Sequence, residues 1–128
     1  MLLSVPTSPG EFLDKLTILE IKAERIADTA KLANVRRELE LMRATWAASP
    51  LAARDVAALR ADLRRANETL WDVEDRIRAK EATQTFDAEF VELARAVYRT
   101  NDRRAAIKRD LNVALGSELI EEKSYRPY

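Results

Sequence analysis

The chain has 128 residues, 47% of them hydrophobic, and its 22 basic and 22 acidic side chains give a net charge of zero. This length suits one domain with a single core. Zero net charge provides no overall field to attract nucleic acid, so we expect no nucleic-acid partner. The absence of cysteine and histidine excludes disulfides, thiolate nucleophiles, a histidine general base and the usual zinc ligands.

The composition also limits the location and the fold class. The opening MLLSVP lacks the basic and long apolar segments of a signal peptide. No stretch approaches the ~20 apolar residues of a membrane span. We therefore expect a cytoplasmic protein without membrane insertion. Only two glycines and four prolines are present, which favours a few long helices over a turn-rich β fold.

The first half of the chain predicts two shorter helices, at 9–28 and 30–48. Ser8, Pro9 and Glu11 have the spacing of a capping box with proline at the first helical position. Asp28 is the expected N-cap of the second helix, because the apolar row changes phase there. A single bent helix over residues 9–48 is the alternative, since neither glycine nor proline marks the break.

The second half predicts two longer helices, at 50–82 and 87–115, followed by a tail at 116–128. Ser49 and Pro50 repeat the cap-and-proline pattern, Thr85 or Asp87 caps the fourth helix, and Gly116 suits its left-handed C-terminal cap. Four helices joined by short loops predict an all-α, antiparallel, four-helix bundle-like domain over residues 1–128.

Two neighbouring rows run along the third helix. The core row alternates steps of three and four and comprises Val56, Leu59, Leu63, Ala66, Leu70, Val73 and Ile77. One position further round, Asn67, Trp71, Glu74 and Arg78 follow the same spacing. A solvent face needs no tryptophan and a core needs no Glu or Arg, so this second row indicates the edge of the core.

On the first helix Glu20 likewise lies one position beyond the apolar row. On the fourth helix the apolar row is interrupted near Asn101, Arg104 and Lys108. Together with the second row they predict a polar pocket in the bundle. Arg and Lys would hold a phosphate or carboxylate, amides would bind hydroxyls, and Trp71 would stack on a ring. The alternative is a network of interhelical salt bridges with an asparagine that sets register.

The tail and an acidic cluster add two further expectations. Leu119, Ile120 and Tyr125 give the tail apolar surface with which to dock. Glu121 and Glu122 would fold over the basic run at 98–109, so that the tail acts as a lid or latch. The acidic cluster comprises Glu68, Asp72 and Asp75. It gives an alternative in which Mg²⁺ binds on the third helix. No other cofactor is expected.

Five strings resemble a family of small, uncharacterised bacterial proteins. They are SPGEFLDKLTILEIK (8–22), LANVRREL (32–39), LWDVEDRIR (70–78), VYRTNDRRAAIKR (97–109) and EEKSY (121–125). The pattern from Asn67 to Arg78 is also similar to a motif of a second uncharacterised helical family. The resemblance spans nearly the whole chain and implies a link to surface-polysaccharide or glycosyl-transfer genes, with no established activity.

The rows and the strings together select a set of candidate ligand-binding residues: Lys15, Glu20, Asn67, Trp71, Glu74, Arg78, Asn101, Arg104, Lys108, Lys123 and Tyr125. One hypothesis is a protein-interaction or assembly module associated with surface-glycan production, forming a homo-oligomer or binding a protein partner. The alternative is an enzyme or binding protein for a small anionic ligand such as a sugar phosphate or nucleotide sugar. In that case Arg78, Arg104 and Lys108 grip the anion, and Glu74 or Glu20 acts as acid or base.

Overall fold

The computed structural model describes residues 1–128 and contains helices and no strands, which confirms the all-α prediction. The α-helices are α1 (Pro9–Arg25), α2 (Thr29–Ala48), α3 (Ala57–Ala82) and α4 (Ala88–Ala114), with a short 3-10 turn at Pro50–Ala53. No helix has the length and apolarity needed to cross a membrane.

Three of the predicted helix starts carry the expected side-chain caps. Ser8 Oγ accepts from the backbone N–H of Glu11 at 3.2 Å, and Asp28 Oδ1 accepts from that of Lys31 at 2.9 Å. Asp87, one of the two residues predicted for the fourth helix, accepts from the N–H of residue 90 at 3.0 Å. The cap at Asp28 separates α1 from α2, so residues 9–48 form two helices. The first ends at Arg25 rather than at 28.

The start of the third helix was predicted seven residues too early. Ser49 and Pro50 begin the 3-10 turn, in which Ser49 Oγ accepts from the N–H of Leu51 at 3.1 Å. Arg54 is then extended, and Asp55 accepts from the N–H at position 57 at 3.2 Å. A proline at the first position suits either helix type, and the short Asp55 side chain offers the backbone a local bond that competes with helix continuation.

The far end of α4 is closed by the predicted glycine. Gly116 adopts a φ of +66°, and the N–H of Ser117 donates to the carbonyl of Asn112 at 2.8 Å. This is the bond pattern of a helix that ends with a left-handed residue, where a side chain other than hydrogen would be strained.

Helices α3 and α4 form an antiparallel hairpin, and α1 packs against both. Near the hairpin turn Arg76 binds Glu89, whereas at the opposite end Arg54 Nη2 donates to the carbonyl of Ala114 at 3.0 Å. Helix α2 packs on α1 and on the 3-10 turn, with no comparable contact to α3 or α4. The bundle is therefore a three-helix unit of α1, α3 and α4 with α2 added on the outer side of α1.

The core lies where α1 meets the α3–α4 hairpin. Its fully buried members include Leu13, Leu16, Leu63 and Leu111. From α2 only Leu39 is buried, although Trp46 packs on the same cluster and stacks on Phe12 with ring centroids 5.9 Å apart. The helices that surround the polar site are thus held by one contiguous apolar cluster.

The tail follows α4 back along its length, but polar contacts hold it. Lys108 binds Glu121 at 3.0 Å, and Tyr128 Oη donates to Asp102 at 2.6 Å. The apolar side chains that were expected to dock the tail are exposed instead: Leu119, Ile120 and Tyr125. The expectation of apolar docking was wrong because α4 offers the tail charged groups along this face.

Candidate functional site

Helix α1 presents a row of inward positions to the α3–α4 hairpin. Gly10, Asp14, Thr17 and Ile21 follow steps of four, three and four, and all four are buried. Thr17 satisfies its hydroxyl within the helix by donating to the carbonyl of Leu13 at 2.7 Å. Asp14 is the charged member of this row, so its carboxylate requires partners from other helices.

Both neighbouring helices supply partners to Asp14. Asn67 Nδ2 on α3 donates to Asp14 Oδ1 at 3.0 Å, and Arg104 Nε on α4 donates to the same oxygen at 2.8 Å. A second guanidinium nitrogen of Arg104 donates to Oδ2. The carboxylate therefore receives three hydrogen bonds, two of them from one planar guanidinium. This network ties α1, α3 and α4 together at one point.

The network continues to the outer side of Arg104. Arg104 Nη1 donates weakly to Asn101 Oδ1 at 3.4 Å. The hydrogen bonds to Asp14 raise the pKa of Arg104 above its ordinary value, against the opposing effect of burial. Two of the three guanidinium nitrogens are committed to Asp14.

A second cluster lies one turn of α4 beyond Arg104, around Lys108. Its side chain is 11% exposed, and Nζ donates to Glu11 Oε2 at 2.5 Å and to Glu121 Oε2 at 3.0 Å. Burial lowers the pKa of Lys108, but the hydrogen bonds to the two glutamates outweigh it and raise the pKa overall. The bond to Lys108 in turn lowers the pKa of Glu121. Lys108 thus joins the start of α1 to the tail.

Helices α1 and α4 approach most closely at Gly10. The N–H of Gly10 donates to Oδ1 of the buried Asn112 at 2.7 Å. A Cβ at position 10 would lie 2.5 Å from the carbonyl oxygen of Lys108. Only glycine therefore permits this contact, and Asn112 satisfies an N–H that the first turn of α1 leaves unpaired.

Beside the Asp14 network lies an open groove of about 500 Å³ between α1, α3 and α4. We call it the bundle groove. Its apolar floor comprises Ile18, Ile21, Leu70 and Trp71. Its lining includes six of the predicted candidates: Asn67, Trp71, Glu74, Arg78, Asn101 and Arg104.

The rim of the bundle groove carries both signs of charge. Glu74 and Arg78 pair with each other along α3 at 3.0 Å, and their side chains are 49% and 80% exposed. Asp75 and Lys22 also line the groove and form no ion pair within the chain. The Arg25 guanidinium lies 5.9 Å from the centroid of the Trp71 ring and binds Asp72 at 2.6 Å. The indole is therefore held in place at one edge of the groove.

The other predicted residues lie elsewhere. Lys15 binds Glu38 of α2 at 3.0 Å, and Glu20 lies 3.6 Å from Arg64, on a face of α1 that does not reach the bundle groove. The expectation that Glu20 converges with the second row was wrong, because its position on α1 faces the start of α3. Lys123 and Tyr125 belong to the tail and face α4.

The acidic cluster on α3 does not form a metal site. Glu68 binds Arg64 at 3.1 Å, and Asp72 binds Arg25. No group of three acidic side chains anywhere in the chain has the proximity needed to hold a metal ion. The structure gives the Mg²⁺ alternative no support, because arginines from α1 and α3 pair with Asp72 and Glu68.

Two central residues of the site, Asp14 and Asn112, were not among the candidates. Asp14 belongs to the string at 8–22, and Asn112 follows the string at 97–109. Asp14 belongs to a row with the same four-three-four spacing as the second row of α3, which was the available signal. Asn112 follows Lys108 by four positions on the same face of α4. Each lies one position beyond a fully buried leucine of its helix, Leu13 or Leu111, and faces a neighbouring helix.

Comparison with known proteins gives a family and no described relative. No curated protein matches the chain, and no solved structure matches it. The model of one family matches residues 3–127, which is nearly the whole chain. The chain that forms this three-helix polar junction therefore belongs to a family of unknown function (DUF6165).

Proposed function

We propose that this chain is a non-catalytic, cytoplasmic assembly module that associates with a second copy of itself through the bundle groove. We also propose that the assembly serves bacterial surface-glycan production. The observation that carries the first proposal is the groove itself, which combines an apolar floor with a rim bearing both signs of charge.

The charge pattern of the rim favours a second copy as the partner. In a two-fold interface both copies use the same patch. If residue i of the first copy contacts residue j of the second, then residue j of the first contacts residue i of the second. Two α3 helices lying antiparallel across such an axis would set Asp75 of each copy against Arg78 of its partner. Asp75 has no ion pair within the chain, and Arg78 is 80% exposed, so both are available for this exchange.

The shape of the groove favours a protein surface over a small molecule. Its floor has four large apolar side chains, and the rim residues Glu74 and Arg78 stand largely in solvent, so the groove offers a broad contact area to a protein surface. A half-buried tryptophan between charged residues is typical of the anchors of protein interfaces. Trp71, Ile18 and Leu70 would supply apolar contact area on each side of the two-fold axis.

The alternative function, an enzyme or binding protein for a sugar phosphate or nucleotide sugar at this site, has less support. Arg104 is bound to Asp14, and Lys108 is bound to Glu11 and Glu121. Two of the three cations expected to grip the anion are therefore occupied by residues of the chain itself. Arg78 alone remains for the anion, and it lies beside the carboxylate of Glu74.

Sedimentation velocity over a series of protein concentrations tests self-association. We expect a monomer–dimer equilibrium that Asp75→Arg or Arg78→Asp weakens about tenfold or more, since each creates a like-charge contact across the axis. The double variant carrying both changes should restore the dimer, because the charges are then exchanged. Arg37→Asp, on the exposed side of α2, is the matched control and should leave the equilibrium unchanged.

Two results would reject this proposal. The first is a wild-type chain that sediments as a monomer at every concentration. The second is single variants that dimerise as well as the wild type. The part that concerns glycans rests on the sequence resemblance alone. It predicts that deleting the gene from its host reduces the amount of surface polysaccharide. An unchanged amount would contradict the proposed role in glycan production.

A further inference from the structure

All three tyrosines of the chain meet at one place, away from the bundle groove. Tyr98 of α4 and Tyr125 and Tyr128 of the tail line an open groove of about 850 Å³. We call it the tail groove. Asn101 and Asp102 of α4 form part of its wall. All three tyrosine side chains are exposed, so their rings are accessible from solvent.

The tail crosses this groove as a strap fastened at both ends. At one end Glu121 binds Lys108 at 3.0 Å. At the other, Tyr128 Oη donates to Asp102 at 2.6 Å, and the rings of Tyr98 and Tyr128 lie 5.0 Å apart between centroids. The segment between the two fastenings stands over the groove, and it carries Lys123, Tyr125 and Arg126.

The charge of the tail groove is positive. Lys123 and Arg126 line it, and Arg126 forms no ion pair within the chain. Lys123 Nζ lies 3.4 Å from Glu121 and 5.7 Å from the centroid of the Tyr125 ring, so cation and ring stand side by side. The one acidic wall residue, Asp102, accepts the Tyr128 hydroxyl. The groove thus places two cations beside aromatic rings, and of the two, Arg126 is the one without an acidic partner in the chain.

We propose that the tail groove binds a small phosphorylated ring compound, either a sugar phosphate or a nucleotide. The ring would lie against a tyrosine face, through C–H contacts for a sugar or by stacking for a base. Lys123 and Arg126 would bind the phosphate. The Asn101 side chain accepts from Arg104 through its oxygen, which leaves its NH₂ group to donate to a ring hydroxyl.

This site differs from the proposed dimer surface, and neither proposal depends on the other. The tail groove lies between α4 and the tail, whereas the bundle groove lies between α1, α3 and α4. The two share Asn101 at their common edge. Variants confined to the tail therefore test the ligand site without altering Asp75 or Arg78.

Isothermal titration calorimetry of the full chain tests the proposal with two probes, glucose 1-phosphate and AMP. Glucose, adenosine and inorganic phosphate are the reference compounds, since each offers only part of the proposed chemistry. The first variant is Lys123→Ala with Arg126→Ala, and the second is Tyr125→Ala. All three residues are exposed, so the fold should be retained, which circular dichroism checks. Arg37→Ala removes an exposed cation elsewhere and is the control.

We expect at least one phosphorylated probe to bind more tightly than its reference compounds. The double cation variant should weaken binding about tenfold or more, and Tyr125→Ala should weaken it as well. Arg37→Ala should leave the affinity unchanged. A preference for glucose 1-phosphate would identify a sugar phosphate site, a preference for AMP a nucleotide site, and equal binding a site that recognises the shared chemistry.

Three results would overturn the proposal. The proposal fails if neither probe binds, if inorganic phosphate binds as tightly as both probes, or if the tail variants bind the probes like the wild type. Amide chemical shifts give an independent check, because binding in the tail groove should move the resonances of residues 97–102 and 121–128. Shifts confined to the bundle groove residues of α3 would also count against the proposal.

Discussion

Arg104 contacts Asp14 through two nitrogens: Nε donates to Oδ1 at 2.8 Å, and a second guanidinium nitrogen donates to Oδ2. The Asp14 side chain is 2% exposed, so its charge is removed from water and depends on these partners. Asn67 completes the set from the third helix. This buried pair specifies how α1 sits on the α3–α4 hairpin.

Removal of the carboxylate should destabilise the protein strongly. Asp14→Ala leaves the partly buried Arg104 cation without its partner and Asn67 without its acceptor, and we expect a loss of about 3–5 kcal/mol in the free energy of unfolding. Urea denaturation measures this loss. Lys15→Ala is the control, because it removes an exposed ion pair with Glu38, which is worth no more than about 1 kcal/mol. Similar losses for the two variants would show that the buried pair contributes little.

The close contact at Gly10 predicts a cost for the smallest possible side chain. Gly10→Ala places a Cβ 2.5 Å from the backbone oxygen of Lys108, so α1 must move away from α4. We expect a loss of about 1–3 kcal/mol, as for other overpacked sites. Thermal unfolding measures this change.

Gly116→Ala serves as the comparison for Gly10→Ala. No atom lies within 4 Å of a Cβ at position 116, so its cost is backbone strain alone. Weakened Lys108–Glu11 pairing should accompany Gly10→Ala and should be absent from Gly116→Ala. If Gly10→Ala melted like the wild type, the close approach of α1 and α4 would be disproved.

Trp71 and Leu63 lie on neighbouring rows of α3 and should respond differently to truncation. Leu63 is fully buried, so Leu63→Ala should cost about 2–5 kcal/mol. Trp71 is half-buried on an open groove, so Trp71→Ala should cost less, about 1–2 kcal/mol, while weakening self-association. Urea denaturation and sedimentation velocity separate the two effects. Equal destabilisation would make Trp71 a core residue and remove it from the interface.

The contact between Lys108 and Glu121 predicts a tail that detaches at both extremes of pH. The bond to Lys108 lowers the pKa of Glu121 below its ordinary value of 4.5. This contribution is complete above pH 4.5 and is lost as the pH falls through the lowered pKa. The pKa of Lys108 is raised above 10.5, so its contribution is complete below pH 10.5 and is lost as the pH rises through the raised value.

Amide chemical shifts of residues 119–123, recorded against pH, measure this behaviour. They should stay constant between the two limits and move toward values of an unfolded segment beyond each. Glu121→Gln should abolish the acid transition in these resonances and leave the helices of the bundle folded. An acid transition that persists in Glu121→Gln would assign it to another group.

The helices and most of their ends could be predicted because helix signals are local. Ser8, Asp28 and Asp87 each bond to an N–H three residues away, and Gly116 ends α4 through its own backbone conformation. Pro50 was misread because a proline suits the first turn of either helix type. The stop after Ala53 depends on Asp55 and on the packing of Leu51 and Val56 against the core.

The second row of α3 predicted part of the lining of the bundle groove from its spacing alone. Asn67, Trp71, Glu74 and Arg78 lie along one groove together with Asn101 and Arg104. Whether that groove binds a partner is still a prediction. Glu20 and Lys15 lie outside this groove, because periodicity identifies the face of a helix but not the helix that will cover it. The same limit hid Asp14.

The sequence by itself determined an all-α chain with four helices and a polar edge on its third helix, since spacing and caps act within a few residues. Only the tertiary structure decided that Asp14 is the centre of the network and that Lys108 is shared between α1 and the tail. The physical reason is that a charged side chain can be buried only where partners from distant segments arrive together. Here Arg104 is 90 positions from Asp14, and Glu11 is 97 positions from Lys108.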